Sequence, residues 1–281
     1  MSSDIIQSLW IGDRLSVMER LCIESFLHQG HQFHLYLYAP CDGVPAGTTI
    51  KDGREILPAD QIFRYQGGYG EGSPSAFSNL FRYAMLFERG GWWVDLDLIA
   101  LKPFQFGTEH VLGLVRGGKG GSRVAAGAIR VPPGSELIGR CLEVARAAEK
   151  HSVRWGQIGP RLLRRMAHEL GMEASMQPPP VFYDIDAADF WRLIRPRRTI
   201  PDGVAVHLWA QLWRHYGLNP DGRYPETSIY EQLIARYLPE ARTEARPRVN
   251  VSAAILRSLP RRVSTGMWFW STRLRRRLRR A

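Results

Sequence analysis

The chain has 281 residues, 44% of them hydrophobic, and a formal charge of +11. That is enough to bury a full core, so one large α/β domain, or a core domain with a small appendage, is expected. No stretch approaches the ~20 apolar residues of a membrane-spanning helix, the opening MSSDIIQ has an acid where a secretory leader is basic, and Cys22, Cys41 and Cys141 show no paired spacing, which argues against a disulfide framework or a thiolate zinc site and fits packing residues in a reducing compartment.

Residues 5–12 form an apolar run ending in glycine, as a strand feeding a loop would. Leu15, Met18, Cys22 and Phe26 then recur at helical spacing, and Gly30 lies where that helix should stop. QFHLYLY alternates Phe33, Leu35 and Leu37, which completes a strand–helix–strand unit of a parallel sheet. A looser stretch, 41–74, carries the glycine cluster at 67–72, which lacks a phosphate-loop pattern and reads as a flexible connector or a lid. A helix is predicted over 75–89 and a strand over 92–101, leaving through Pro103. Strands follow at 111–115 and 124–131, then helices near 135–150 and 160–170. PPPVFY at 178–183 is read as a connector into a strand, VAVHLW at 204–209 as a short strand, and a helix around 228–237 closes the body.

The informative segment is SAFSNLFRYAMLFERGGWWVDLDLIALKPF, residues 75–104. Phe77, Leu80, Phe81 and Ala84 share one helix face, suited to packing on a sheet, while Asn79, Arg82 and Tyr83 share another. Gly90 and Gly91 allow a reversal into Trp92-Trp93-Val94. In an extended chain Asp95 and Asp97 point the same way, at the carboxyl end of a strand, where open α/β sheets place their ligands. Two such carboxylates suit Mg²⁺ or Mn²⁺, hard cations that keep positions for substrate phosphates. An arginine on the preceding helix suits a phosphate or a sugar hydroxyl.

This segment resembles the sugar-binding region, with its Asp-x-Asp motif, of the glycosyltransferase family 32 group. The pattern there is Ser-Asp-x-x-Arg-Tyr, then Gly-Gly-x-Tyr-x-Asp-x-Asp, then an apolar run ending in Pro. Here it reads Ser78-Asn79-Leu80-Phe81-Arg82-Tyr83, Gly90-Gly91-Trp92-Trp93-Val94-Asp95-Leu96-Asp97 and Leu101-Lys102-Pro103. Leu9-Trp10-Ile11-Gly12 is similar to the family's first strand and nucleotide-side loop, Gly159-Pro160-Arg161 to its Gly-Pro helix start, and Val206-His207-Leu208-Trp209 to its C-terminal histidine motif. The similarity spans roughly residues 5–238.

The resemblance implies a GT-A fold: a Rossmann-like mixed sheet flanked by helices over residues 1–240, followed by a basic, aromatic-containing extension over 241–281. It also implies a metal-dependent retaining glycosyltransferase with Mn²⁺ or Mg²⁺ and a nucleotide-sugar donor, for which a UDP-sugar is favoured and a GDP-sugar is the other option. By position, Asp97 is the expected metal ligand, Asp95 contacts metal or ribose, Arg82 the donor sugar or diphosphate, His207 the metal or diphosphate, and Trp10, with Ile11 and Gly12, the base side. Asn79 stands where Asp is frequent, on the donor sugar, and Trp93 where Tyr is frequent.

Each of these residues has a structural rival. His207 in an apolar strand is ordinarily a hydrogen-bonded core histidine, and Trp10 is equally a core aromatic. The second Asp-x-Asp, Asp184-Ile185-Asp186, is read as structural, with Asp186 capping a helix. Gln211 and His215 lie beyond the histidine motif and are minor candidates for the site. Residues 261–281 hold eight arginines and no acid beside Met267, Trp268, Phe269 and Trp270; removing those charges leaves +3. Such a tail suits an anionic membrane surface ahead of a merely solvated tail, and both ahead of nucleic acid, since no nucleic-acid module accompanies it. The expected enzyme therefore works peripherally on the cytoplasmic face of the inner membrane, on a glycan or lipid-linked acceptor of a surface polysaccharide. The alternatives are a non-catalytic basic protein that binds membrane or nucleic acid on the same scaffold and, ranked lower, an exported effector that glycosylates a host protein.

Overall fold

The structure, a computed structural model, describes residues 5–117 and 121–255; the arginine-rich stretch 261–281 lies outside the described residues. The first half is the expected parallel unit. Strand β1 (Ile6–Leu9) leads to helix α1 (Val17–His28), then to β2 (Phe33–Leu37) and β3 (Thr49–Asp52). Helix α1 begins with a capping box, in which Ser16 accepts from the Met18 N–H at 3.2 Å and Glu19 reaches back to the Ser16 N–H at 2.8 Å.

Helix α2 (Ser75–Arg89) buries Phe77, Leu80, Phe81 and Ala84 as its apolar spacing requires. Gly90 and Gly91 both take positive φ, 64° and 81°, which reverses the chain into β4 (Gly91–Val94). The strand expected over 92–101 is broken: a turn closed by Leu98 N–H to Asp95 C=O at 3.0 Å separates β4 from β5 (Leu98–Ala100). The apolar residues continue through this turn, so periodicity alone gave no sign of it. Next come β6 (Val111–Arg116), β7 (Ser122–Val131), α3 (Glu136–Ala147), α4 (Pro160–Glu169) and β8 (Met176–Gln177). PPPVFY does not lead into a strand; it folds as the one-turn helix α5 (Pro179–Phe182), with a proline at its first position, where the missing N–H has no cost. Strand β9 (Ala205–His207), helix α6 (Ala210–Tyr216) and helix α7 (Ile229–Tyr237) follow.

The fold is α/β. A seven-stranded sheet runs β3-β2-β1-β4-β7-β6-β8, parallel from β3 to β4 and antiparallel where β7 pairs with β4 and β6; a small antiparallel sheet joins β5 to β9. The large sheet separates two cores, and adjacent residues of β4 serve opposite faces. Trp92 enters the core containing α1 and α7, and Trp93 the core containing α2, α3 and α4. Residues beyond 240 contribute as well: Val251 and Ala254 are buried in the first core. Arg246 is also buried, and it grips Glu231 on α7 through two contacts of 2.7 and 3.1 Å. Among the described residues no helix is long and apolar enough to cross a membrane. Cys22 and Cys141 are buried and Cys41 half-buried, all as free thiols.

Candidate active site

Asp95 and Asp97 lie together because of the turn, not because an extended chain alternates its side chains. The turn carries the chain from the large sheet into the small one, and each carboxylate is fixed by a different sheet. Asp95 belongs to the large sheet: its N–H donates to the Gly127 carbonyl of β7 at 2.9 Å. Its Oδ1 accepts from the Trp93 indole N–H at 2.9 Å and pairs with Arg82 Nη2 at 3.0 Å. Arg82 is held in turn by the Ala126 carbonyl and lies over the Trp93 ring, 4.7 Å from its centre. Thus Trp93 donates to the first aspartate through its indole.

Asp97 belongs to the small sheet. The pairing of β5 with β9 sets His207 opposite Leu98, and Leu208 N–H donates to the Asp97 carbonyl at 2.8 Å. The Asp97 carboxylate meets His207 Nε2 at 3.1 Å and accepts from the first amide of α6, Ala210 N–H, at 2.7 Å. Trp209 adopts a left-handed backbone, φ 62°, to turn that amide inward, and its ring lies edge-on to His207 with centroids 4.3 Å apart.

The two halves meet at Gly127. A Cβ there would lie 3.0 Å from Tyr183 Oη, 3.1 Å from Asp95 Oδ2 and 3.4 Å from His207 Nε2. Three polar groups therefore converge on a space that exists because residue 127 has no side chain. Ligand atoms of Asp95, Asp97 and His207 all lie within 4.8 Å of one another. The side chains of Arg82, Asp97 and His207 are 5%, 11% and 10% exposed, while Asp95 is 33% exposed toward the cavity.

Burial alone would raise the Asp97 carboxyl, but His207, the Ala210 amide and its own N–H outweigh it and hold the pKa below the usual carboxylate range. Burial likewise works against the His207 imidazolium, yet the Asp97 charge and contact, with Asp95 adding, raise its pKa above that of ordinary imidazole. Tyr183 is pushed well up, first by burial and then by the two aspartates, so it stays a neutral hydroxyl. The other ring nitrogen of His207, Nδ1, is buried with no hydrogen-bond partner. In the metal-free protein Asp97 Oδ1 therefore keeps a proton on Nε2, and a cation bound at Nε2 would displace it.

Above this group opens a cavity of about 930 Å³. Trp10, Ile11, Asn79, Arg82, Trp93 and Gln211 all line it. Gly12 lies behind Trp10, where a Cβ would come within 2.9 Å of the indole nitrogen. The Trp10 indole N–H donates to the Arg14 carbonyl at 3.1 Å. Asn79 packs on Gly159, whose Cβ would come 2.8 Å from the amide oxygen. His215 reaches the cavity wall through the Tyr69 ring, 5.6 Å away. The second Asp-x-Asp is structural: Asp186 caps the Ala188 amide at 2.8 Å and Asp184 pairs with Arg116 at 3.3 Å.

Sequence reasoning missed Gly127, Tyr183 and Trp209. A glycine inside a strand signals a close approach and was the readable clue for the first; Trp209 stood in the histidine motif without a role of its own, and Tyr183 carried no signal.

No family model matches the chain, and no curated protein matches it in sequence, so the likeness to glycosyltransferase family 32 stays a resemblance of motifs. Among solved structures the chain is similar to the PaToxG glycosyltransferase, at 16% identity over 61% of this chain and 72% of that one, with a TM-score of 0.47.

Proposed function

We propose that the protein is a metal-dependent glycosyltransferase that moves a sugar from a nucleoside diphosphate donor, a UDP-sugar in preference to a GDP-sugar, to a glycan or lipid-linked acceptor. The observation that carries this reading is the convergence of Asp95, Asp97 and His207 on the gap at Gly127, at the floor of a cavity large enough for a nucleotide sugar. Two carboxylates and an imidazole, with one carboxylate oxygen turned to open space, fit Mn²⁺ or Mg²⁺. When bound, such a cation neutralises the diphosphate as it departs.

The chain's own residues do the rest. Arg82 and Trp93 hold the first carboxylate so that its Oδ2 faces the cavity. Ala210 and His207 hold the second. Asn79, Trp10 and Ile11 form the donor wall. With both carboxylates at the gap assigned to the cation, no side chain is assigned as a nucleophile, and retention is read as attack on the same face. In that step the acceptor oxygen bonds to the anomeric carbon, the bond to the diphosphate breaks, and the acceptor's proton passes to the leaving phosphate. The C-terminal arginines would draw the enzyme to an anionic membrane surface, about 1 kcal/mol for each at the headgroups; sedimentation with anionic and neutral vesicles reads that directly.

Calorimetric titration of UDP and GDP, with Mn²⁺ and then with chelator, tests the reading. Binding is expected only with metal and is expected to be lost in Asp97→Ala and in the isosteric Asp97→Asn. Absence of binding by either nucleotide to folded protein refutes the donor assignment and leaves a non-catalytic binding protein.

A further inference from the structure

The cavity carries more positive charge than the proposed donor uses. Arg64, Arg123, Arg161, Arg164 and Arg214 line it, and Arg64, Arg123, Arg164 and Arg214 make no ion pair among the described residues. Arg64 donates to the Gly72 carbonyl at 2.9 Å and Arg214 to the Gln211 side chain at 3.4 Å, both neutral partners. In the donor complex a divalent cation and Arg82 face two aspartates and the two charges of a diphosphate ester, which leaves one negative charge for an arginine to cancel. Glu71, also on the wall, offsets a second. Glu19, on the lining as well, offsets a third. Two arginine charges remain, and a cleft lined by one sign of charge concentrates the opposite one.

The surplus lies beside an aromatic wall. The Trp155 ring is 5.1 Å from Tyr69, edge to face, and 5.1 Å from Tyr65. Gly70 lies against it so closely that a Cβ would fall 2.3 Å from the indole. Trp155 precedes α4, which carries Arg164, and Tyr69 touches His215 on α6, next to Arg214. The wall thus runs between two arginine-bearing helices. Aromatic faces accept the apolar side of a sugar ring, and guanidinium forks accept carboxylate or phosphate.

We propose that this wall is the acceptor subsite and that the acceptor is an anionic saccharide, a sugar ring on Tyr69 and Trp155 with its acidic group between Arg164 and Arg214. This rests on the glycosyltransferase reading above. The test is a titration, in Mn²⁺ and saturating UDP, of four probes: trigalacturonate, neutral galactotriose, maltotriose phosphate and pentaglutamate. At least one anionic trisaccharide binds tenfold or more tighter than the neutral one, and the two acidic arms tell carboxylate from phosphate. Arg164→Ala and Arg214→Ala each reduce that preference several-fold with UDP affinity within twofold, whereas Trp155→Ala weakens every saccharide and keeps the ratio. Equal affinity for neutral and anionic sugars overturns the proposal. So does pentaglutamate binding as tightly as trigalacturonate, or a tenfold loss of UDP affinity in Arg164→Ala, which would give that arginine to the donor. Failure of the underlying reading shows separately, as no Mn²⁺-dependent UDP binding, and the saccharide titration without UDP still reads the subsite.

Discussion

Gly127→Ala places a methyl group in the gap on which Tyr183, Asp95 and His207 converge. Its carbon would sit 3.0 to 3.4 Å from three polar atoms, closer than carbon normally packs. The fold should survive. Residue 127 lies in strand β7 without a positive φ, so alanine gains about 0.5–1 kcal/mol of backbone entropy, against about 1–3 kcal/mol for overpacking. The net loss of about 0–2.5 kcal/mol falls within a typical stability of about 5–15 kcal/mol.

Metal binding should fare worse, because the methyl displaces two of the three ligand groups at once. A loss of about 10–100-fold is expected, the range for disturbed ligand support, or about 1.4–2.7 kcal/mol. Titration of Mn²⁺, followed by the spin-resonance signal of the free ion, measures it directly. Thermal unfolding provides a second readout. At a metal concentration one hundred times the wild-type Kd, wild-type protein gains about 2.7 kcal/mol and the variant about 0.4–1.4 kcal/mol. Unchanged Mn²⁺ affinity in a folded Gly127→Ala protein would show that no cation is held at this gap, and the donor reading would lose its central observation.

Trp93→Phe keeps the ring in the core but removes the indole N–H that fixes Asp95 Oδ1; Mn²⁺ affinity should fall about tenfold, with stability down by about 0.5–1.5 kcal/mol, both read by titration and denaturant unfolding. Arg246→Ala strands Glu231 as an uncompensated buried charge and should cost about 3–5 kcal/mol, roughly 6–20 °C in Tm; a shift below 2 °C would mean the segment after residue 240 adds nothing to the body. The His207–Asp97 pair gives opposite pH trends with and without metal. His207 is raised, so its contribution is full below about pH 6.5 and lost as pH climbs through its folded value; Asp97 is lowered, so its contribution is full above about pH 4 and lost as pH falls through its folded value. Metal-free protein should therefore gain most from this pair between about pH 4 and 6.5, while Mn²⁺, which needs the neutral imidazole, should add more stability as pH rises from 6 to 9; parallel melting curves across that range would sink the assignment of His207 as a ligand.

The segment from Ser75 to Val94 was legible because each signal there is local: an apolar stripe on α2, two glycines for the reversal, and two tryptophans for opposite faces. The α/β class was legible for the same reason, from the β1–α1–β2 unit. The turn at Asp95 was not, since Leu96 and Leu98 continue an apolar run that also fits a longer strand. Helix α6 was hidden by its length of seven residues and by its start at Trp209, a residue that rarely takes a left-handed backbone. Pairing Asp97 with His207 across 110 positions depends on β5 meeting β9, a tertiary event that no local pattern encodes. The motif resemblance supplied His207 where residue chemistry alone favoured a core histidine.

The backbone of Trp209 shows how the site is held ready. A left-handed conformation at a residue with a side chain costs roughly 1–2 kcal/mol, and strain of this kind persists only where surrounding contacts impose it. Here the indole N–H donates to the Ile185 carbonyl at 2.9 Å, and the ring lies against both His207 and Tyr183. Those contacts offset the strain and give it a direction: the bend after β9 aims the Ala210 amide at Asp97 Oδ2. A helix begun one residue later would leave that oxygen without its amide and the carboxylate free to rotate away from His207. The strained residue therefore orients the second carboxylate from the small sheet, as Arg82 and Trp93 orient the first from the large one. With both carboxylates fixed before any ligand arrives, a cation entering the gap at Gly127 meets a formed site and need not order one.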